Sequence, residues 1–466
     1  MKRSLSDIEK ELPSADRNDY RALNASLFRS LDKTCIVIDD DPTGNQTVYD
    51  IPLLSDWSQE TIAQELKNKT PVFFILTNSR SLTREEAYRT YLEVGRNISA
   101  ASAATHREYV LVSRSDSTLR GHFKEELDAL RASEAIHDAI TFFIPVMFEG
   151  GRVTINNIHY IAEQDTLIPV ADTPFARDAT FGYSQSDLGE WVEEKTAGEV
   201  RSGDIRSFSV EEIRTRTTAQ LVEKVRQINI GETAICNALG YTDLDKMLQA
   251  LLIVGKEGRQ VLYRTSSSFL PSFIGQAPKP LLSKEELNLS NNNGGLIVVG
   301  SHVSRSSEQL SYLLERTAAD EALELDVEQI MDGAEDFNKE KFSGQIDELL
   351  STRQKVILYT SRKLITGTSA KGNLEIGARV SNALVEIVSG LKNTPKYIMA
   401  KGGITAHDLA TRALGMNRAM VRGQILPGVP VWEITGKATG SGIPYIVFPG
   451  NVGQKTSLHD IIQKLG

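Results

Sequence analysis

Residues 35–44 read CIVIDDDPTG: a short aliphatic run meets three consecutive aspartates, then Pro42, Thr43 and Gly44. A run of this length, rich in β-branched residues, predicts a buried strand. The aspartates then fall at its carboxyl end, where open α/β sheets collect their ligands. Side chains alternate along a strand, so Asp39 and Asp41 are expected on one side and Asp40 on the other. If the strand stops near Asp40, at least two carboxylates converge beyond the sheet edge. Adjacent carboxylates repel one another unless cations, backbone amides or a metal ion lie close. An Asx turn capping the next helix is the plainer explanation, but such a turn needs one aspartate, not three.

Similar apolar runs follow at PVFFIL (71–76), YVLVS (109–113) and ITFFIP (140–145). Between them, QETIAQELKNK (59–69) and REEAYRTYLEVGRNISAASAA (84–104) carry apolar residues at helical spacing. This alternation predicts an α/β domain with a parallel sheet. QAPKPLLSKEELNLSNNNGG (276–295) has two prolines and then a Ser, Asn and Gly run with nothing to bury, as in a linker. The alternation restarts with GLIVVG (295–300), KVILYT (355–360), YIMA (397–400) and PYIVF (444–448). Helices are expected from about Ser306, near 377–391 and from about Thr405. The expected fold is α/β with two domains, each a mainly parallel sheet flanked by helices. Residues 1–280 form the first domain, 281–294 the linker and 295–466 the second.

Composition narrows the function classes. A chain of 466 residues exceeds one ordinary core. A net charge of −9 argues against nucleic-acid and anionic-membrane partners, while leaving room for a local basic pocket. The two cysteines, Cys35 and Cys236, have no metal-ligand spacing and fit a reducing compartment. MKRSLSDIEKELP (1–13) places charges where a secretion signal needs an apolar stretch, and predicts a short helix stopped by Pro13. No run approaches the roughly 20 apolar residues of a membrane span. A cytoplasmic protein without membrane or nucleic-acid partners is expected.

The strand ends carry the chemistry. TNSR (77–80) places Asn78 and Arg80 at the expected sheet edge. SRSDSTLRGH (113–122) adds Arg114, Asp116, Ser117 and Arg120, and PVMFEGGRVT (145–154) adds Arg152 beside a Gly-Gly turn. Arg114 and Arg120 can each clamp a carboxylate or phosphate with two parallel hydrogen bonds. Asp116 and Asn78 can read hydroxyls. A lone arginine would be read as a surface ion pair, but arginines at three neighbouring strand ends facing aspartates suit a small polyhydroxylated acid. The second domain differs. VVGSHVSRSSEQ (298–309), YIMAKGGITAHDLATRAL (397–414) and PYIVFPGNVGQKTS (444–457) each run from strand through a glycine turn, two of them into a helix. Such turns offer free N–H groups to phosphates and together suggest a nucleotide. No Walker A, dinucleotide or protein-kinase motif is present.

These motifs resemble the four-carbon acid sugar kinase family, whose members use ATP to phosphorylate threonate-like or 3-oxo-tetronate acids. The likeness runs in the family's order from about residue 34 to 457. The family's ADDxTGA resembles Asp39 to Asn45, its paired aspartates falling on Asp40 and Asp41. DSTLRG stands unchanged at Asp116 to Gly121, and PAFPxxGRxT resembles Pro145 to Thr154. GSxSxxT resembles Gly300, Ser301 and Ser306, GG[ED]TA resembles Gly402 to Ala406, and KSGNFG resembles Phe448 to Gly453. Three departures mark a divergent branch: Ile404 replaces an acid, Phe448 a lysine and Thr47 an aspartate. Lys401, Lys437 and Lys455 are the candidates to replace the lysine.

The resemblance implies an N-terminal acid-sugar domain, a C-terminal ATP domain and an active site in the cleft between them. Phosphoryl transfer to a sugar-acid hydroxyl is the expected reaction. Asp41, with Asp40 as alternate, would be the base, and Arg120 a catalytic partner. Asn78, Arg80, Arg114, Asp116, Ser117 and Arg152 would hold the acid. Gly300, Ser301, Gly402, Gly403, Thr405, Gly450 and Gly453 would cradle the nucleotide. Mg2+ would come with ATP, with no protein ligand assigned beyond Asp40 or Asp41 as candidates. A homodimer is left open. Two other readings stand beside this one. One is a sugar-acid- or nucleotide-binding protein that has lost catalysis, favoured by Ile404 and Phe448. The other is a haloacid-dehalogenase-type phosphatase with Asp39 as nucleophile, Asp41 as acid/base and LTN (76–78) as second motif. It lacks a convincing late acidic pair, since Asp243 and Asp245 follow no clear strand.

Overall fold

The computed structural model describes residues 3–287, 289, 291–332, 338–362, 370–435 and 442–466. The chain divides into two compact units, residues 1–48 with 56–278, and residues 49–55 with 279–466.

The first unit is built on a parallel sheet. Its strands lie in the order Arg206–Phe208, Thr233–Cys236, Ile140–Ile144, Val261–Thr265, Tyr109–Arg114, Thr34–Asp39 and Val72–Leu76. Thr34–Asp39 and Val72–Leu76 are buried at every position. Helices cover a parallel sheet on both faces, so its strands read as unbroken apolar runs without alternation. Helix Arg84–Thr105 packs against Gln59–Lys67 and Phe123–Ala132. It starts at a capping box: the Thr83 hydroxyl accepts from the Glu86 amide, and the Glu86 carboxylate accepts from the Thr83 amide at 2.9 Å. Beside this sheet lies a smaller antiparallel one of Arg3–Ser4, Thr166–Pro169, Ile158–Glu163 and Arg152–Ile155. Residues 5–11 form the expected N-terminal helix.

In the second unit the strands lie in the order Ile51–Leu54, Arg418–Leu426, Val429–Thr435, Ile443–Phe448, Ile398–Lys401, Gly295–Val299, Lys355–Thr360 and Ala322–Leu325. From Ile443–Phe448 onward the strands are parallel, as expected. The first pairings are antiparallel, because Pro427-Gly428 closes a hairpin and Ile51–Leu54 adds to its outer strand.

Two features of the expected domain plan differ. Segment 49–55 belongs to the second unit, although its sequence position lies deep in the first. Within 281–294, Leu282 and Leu287 enter the second unit's core with Ile297, Met399, Ile425 and Phe448. The Leu282 amide also donates to the Gln424 carbonyl at 2.7 Å. Two buried leucines therefore dock this stretch, which a reading based on its Asn, Ser and Gly content passes over. No helix among the described residues is long and apolar enough to cross a membrane.

Candidate active site

Thr34–Asp39 pairs with Val72–Leu76 on one side and Tyr109–Arg114 on the other. The segments leaving these strands therefore meet at one sheet edge. Arg114 donates to Asp39 at 3.1 Å, lies 3.6 Å from Asp40 and donates to the Ser267 hydroxyl at 2.8 Å. Arg80 donates to Asp40 from Nη2 at 2.8 Å and from Nε at 3.3 Å. It also lies 3.5 Å from Asp41 and 3.9 Å from Asp116. The Ser115 hydroxyl donates to Asp40 at 2.7 Å. The strand ends at Asp39, so side-chain alternation stops there. Asp40 and Asp41 belong to the following turn, and Arg114 meets Asp39 and Asp40 alike. This corrects the expected split of the three carboxylates between two faces.

Asp39 and Asp40 have no exposed surface, whereas the Asp41 side chain keeps 19%. The Thr43 amide donates to Asp41 at 2.7 Å and the Thr43 hydroxyl donates to the same oxygen, so Asp41 does form an Asx turn. Gly44 follows because its backbone runs against Asp39 and Arg114: a Cβ there would overlap both side chains.

The charges in this cluster differ from residue to residue. Burial raises Asp39 to about 7, with Arg114 opposing and Asp40 and Asp41 adding to the rise. Burial also works against ionised Asp41, but Arg80, the Thr43 hydroxyl and Arg114 together bring it below its ordinary value. Burial is likewise overcome at Asp116, where Arg80, Arg120 and Thr118 hold the carboxyl well below the usual range. Arg80 is itself desolvated, yet Asp40, Asp41 and Asp116 keep it firmly protonated. The three aspartates are tolerated because two buried guanidiniums face them and one of the three readily takes a proton.

The DSTLRG turn completes this edge. Asp116 accepts from Arg120 Nε at 2.7 Å and from the Thr118 hydroxyl. Arg120 lies over the Phe175 ring at 5.0 Å and Arg152 at 6.0 Å. Arg152 makes no ion pair among the described residues, and its Nε is buried without a partner. It is the guanidinium best placed to receive an outside anion. The Arg114 Nε is likewise buried without a partner, but its two other nitrogens are held by Asp39 and Ser267. Asn78 sits in the left-handed region (φ 51) and donates to Ser81 at 3.1 Å. Among the described residues the Ser117 hydroxyl reaches the Met147 sulfur, at 3.5 Å.

The Ser117 carbonyl accepts from His159 Nε2 at 2.8 Å, which leaves His159 Nδ1 to accept from Thr154 at 2.9 Å. The ring is buried, and burial lowers its pKa to about 4. The unfolded chain therefore binds an extra proton between about pH 4 and the ordinary value near 6.5, and stability is lost as pH falls through that window. The loss attributable to this group is at most about 1.4 kcal/mol per pH unit. Urea unfolding from pH 7 to 4.5 is expected to show a steeper fall for the native protein than for His159→Gln, whose amide offers a donor and an acceptor but does not titrate. Parallel profiles would remove His159 from the acid response.

Sequence inspection missed the strand Val261–Thr265, which lies between Tyr109–Arg114 and Ile140–Ile144. It brings buried Arg264 onto Glu126, and Arg264 also donates to the Ser113 hydroxyl at 2.7 Å. It then delivers Ser267 to Arg114. VLYRT is short and begins with β-branched, aliphatic and aromatic residues like the other runs, but Arg264 interrupts its apolar pattern.

In the second unit, Gly295–Val299, Ile398–Lys401 and Ile443–Phe448 are parallel neighbours, so the glycine turns after them share one sheet edge. The Ser301 amide donates to the Lys401 carbonyl at 3.3 Å and the Gly402 amide to the Phe448 carbonyl at 2.9 Å. The Ser306 hydroxyl donates to the Gly450 carbonyl and is hydrogen-bonded to the Ser301 hydroxyl, both at 3.0 Å. Gln309 Nε2 donates to Val452 and Gln454 carbonyls on either side of Gly453, at 3.0 and 2.8 Å. Gly402 adopts φ 116, closed to ordinary side chains. Thr405 lies against Gly300, within the first turn of the Gly403–Asp408 helix. All seven expected nucleotide residues thus come together. Arg362, which sequence inspection did not single out, joins them by donating to the Ser301 carbonyl at 2.7 Å.

A family profile described as "Sugar-binding N-terminal domain" matches residues 35–273, and one described as "Nucleotide-binding C-terminal domain" matches 296–458. The chain belongs to the four-carbon acid sugar kinase family. Two relatives are named as kinases. A D-threonate kinase from Bordetella bronchiseptica is 22% identical over 413 residues, 86% of this chain and 88% of that one. A D-erythronate kinase from Heliobacterium modesticaldum is 26% identical over 163 residues, 34% of this chain and 35% of its own length. A crystal structure of a Haemophilus influenzae protein shares the fold with a TM-score of 0.62 at 16% identity, covering 92% of this chain and 99% of that one.

Against the family pattern, Thr47 donates to the Ser267 carbonyl at 2.6 Å, and Ile404 is 60% exposed. Phe448 is fully buried and is the register partner of Lys401. Lys455 lies 5.9 Å from the Tyr312 ring, and Lys437 lies outside the described residues. The phosphatase alternative loses ground. Its nucleophile Asp39 is enclosed, and its acidic pair lies in helix Tyr241–Lys256, not at a strand end. There Asp243 pairs with Arg214 at 2.7 Å and Asp245 with Arg21 at 3.1 Å. A strand, Thr233–Cys236, does precede that helix, although the sequence suggested none.

Proposed function

We propose that the protein transfers the γ-phosphoryl group of ATP to a hydroxyl of a four-carbon sugar acid. The observation that carries this reading is Asp41, the one member of the aspartate trio that is both held ionised and partly exposed. Its second oxygen, 3.5 Å from Arg80, would accept the substrate hydroxyl proton as the new O–P bond forms and the bond to the ADP oxygen breaks. Arg152, with Arg120 beside it, would hold the acid's carboxylate, while Asp116 and Asn78 read hydroxyls. Ser117 would contribute through its hydroxyl, and Arg80 would hold Asp41 in place. Among the described residues no group of three or more metal-binding side chains is arranged around a common point. Mg2+ would arrive on the ATP phosphates and neutralise their charge there. The glycine turns with Ser301 and Thr405 would receive the nucleotide. A cytoplasmic setting and a homodimer remain part of this reading.

The test is ADP release from Mg-ATP in the presence of D-threonate, D-erythronate and 3-oxo-tetronates, with melting temperature followed in parallel. Turnover dependent on one such acid is expected, with a rise of several degrees under Mg-ATP, since about 100 Kd of ligand stabilises by roughly 2.7 kcal/mol. A nucleotide shift without turnover on any acid would favour the binding protein that exposed Ile404 and buried Phe448 suggest. No shift with any nucleotide would overturn the kinase reading.

A further inference from the structure

Lys401 ends the Ile398–Lys401 strand and has no exposed surface. Its Nζ donates to the Pro449 carbonyl at 2.7 Å and lies 3.7 Å from the centre of the Phe448 ring. Pro449 opens the third glycine turn, so the ammonium lies at the base of the nucleotide turns. Among the described residues no carboxylate comes within ion-pair distance of it. An ammonium buried with one carbonyl and an aromatic face is poorly compensated, and a chain selected for stability alone replaces it with an apolar residue. The surroundings add positive charge. Arg305, in the first turn of helix Ser304–Leu314, is the charged group that acts on Lys401, and its own partner is Glu308 at 3.2 Å on the same helix. Arg362 donates to the Ser301 and Thr360 carbonyls and makes no ion pair among the described residues. Three cations thus stand at the 300–306 turn; Glu308 pairs with Arg305 and Glu324 acts on Arg362, while neither pairs with Lys401.

We infer that Lys401 is the buried cation that contacts the polyphosphate of the bound nucleotide, an inference that rests on the ATP reading above. Lys401 is fully buried without a ligand, so the contact would form as the Pro449 turn shifts and the ammonium exchanges the Pro449 carbonyl for a phosphate oxygen. Burial, with Arg305 adding to the effect, lowers the Lys401 pKa to about 7. An arriving polyphosphate favours the charged form, so nucleotide binding above neutral pH draws a proton from solution.

The full-length protein and its Lys401→Met variant would be titrated by calorimetry with Mg-ATP, Mg-ADP and adenosine at pH 7.5, in buffers of different ionisation enthalpy. For the variant, at least a tenfold weaker Mg-ATP and Mg-ADP affinity is expected, with adenosine unchanged. The native protein is expected to take up a fraction of a proton per Mg-ATP that the variant does not. The ligand-free variant is expected to melt at or above the native temperature, because a poorly compensated buried charge has gone. Equal Mg-ATP affinity in the two proteins would overturn the inference while leaving the kinase reading intact. So would a parallel loss of adenosine and Mg-ATP. If the variant fails to fold, the native protein decides alone: absence of buffer-dependent proton uptake refutes the role. A native protein that binds no nucleotide ends both this inference and the reading beneath it.

Discussion

Asp41→Asn is expected to lower kcat by about 10²–10⁴-fold while leaving the melting temperature and nucleotide affinity near their native values. Asparagine has the same shape and keeps the oxygen that accepts from the Thr43 amide at 2.7 Å, so the Asx turn persists. What it loses is the ability to take a proton. Of the three carboxylates only this one suits the task. Burial raises Asp39 to about 7, and Asp39 and Asp40 have no exposed surface. Asp41 sits below its ordinary carboxyl value because Arg80, Thr43 and Arg114 outweigh its burial. Its basic form therefore persists through neutral pH, and the acidic limb of the rate profile is expected below the usual carboxylate range. The decisive measurement is kcat beside a thermal melt. Activity within about threefold of native would remove Asp41 from the proton transfer, and the chemistry would then need another base.

The second large effect concerns stability. Arg80→Met is expected to destabilise the protein by about 3–5 kcal/mol, because removing one partner leaves buried carboxylates uncompensated. Arg80 spans Asp40 at 2.8 Å, Asp41 at 3.5 Å and Asp116 at 3.9 Å, and 17% of its side chain is exposed. Lysine at this position offers one point charge and cannot span three carboxylates. Urea midpoints measure the loss, and a second substitution identifies its cause. Asp40→Asn in the Arg80→Met background should recover part of the stability, since the charge that lost its partner has gone. If Arg80→Met costs under about 1 kcal/mol, the cluster is solvated well enough that Arg80 is not its keystone. No recovery on adding Asp40→Asn would place the penalty in lost packing.

The legible parts of the sequence were those where one physical requirement dominates. Strands buried on both faces must be apolar throughout, so CIVI, PVFFIL and ITFFIP stand out from their surroundings, as do the runs before the glycine turns. The strand-end residues could be read as one cluster because parallel strands bring their carboxyl ends to the same edge. Asp40, Arg80, Arg114 and Asp116 do meet there. Position alone, however, does not say which side chains face inward. Arg114 belongs to the same letter pattern as Arg120 and Arg152, yet it is consumed by Asp39 and Ser267. VLYRT was overlooked because an arginine interrupts its apolar pattern; Glu126 on a helix makes that arginine acceptable in the interior. The hairpin of Arg418–Leu426 and Val429–Thr435 was missed in turn, since Arg418, Arg422 and Gln424 break its run and suggest a loop. IPLL at 51–54 is too short to announce a strand, and its partner lies hundreds of residues further along the chain.

That short strand has a practical corollary. Arg418–Leu426 is hydrogen-bonded to Val429–Thr435 on one side and to Ile51–Leu54 on the other. A fragment beginning at the family boundary near residue 296 leaves out the outer strand and exposes an unpaired edge. Such an edge recruits any extended segment at hand, including the same segment of another copy. The second unit can therefore not be produced as a contiguous truncation that keeps all its own parts, and a contiguous first unit carries the second unit's strand with it. Halves made by cutting near residue 280 should exchange strands or aggregate, whereas a fusion that joins 49–55 to the start of 279–466 gives Arg418–Leu426 back its outer partner. The few residues between the aspartate turn and Tyr49 thus make the two units topologically inseparable, and the gene cannot be divided where its sequence similarity divides.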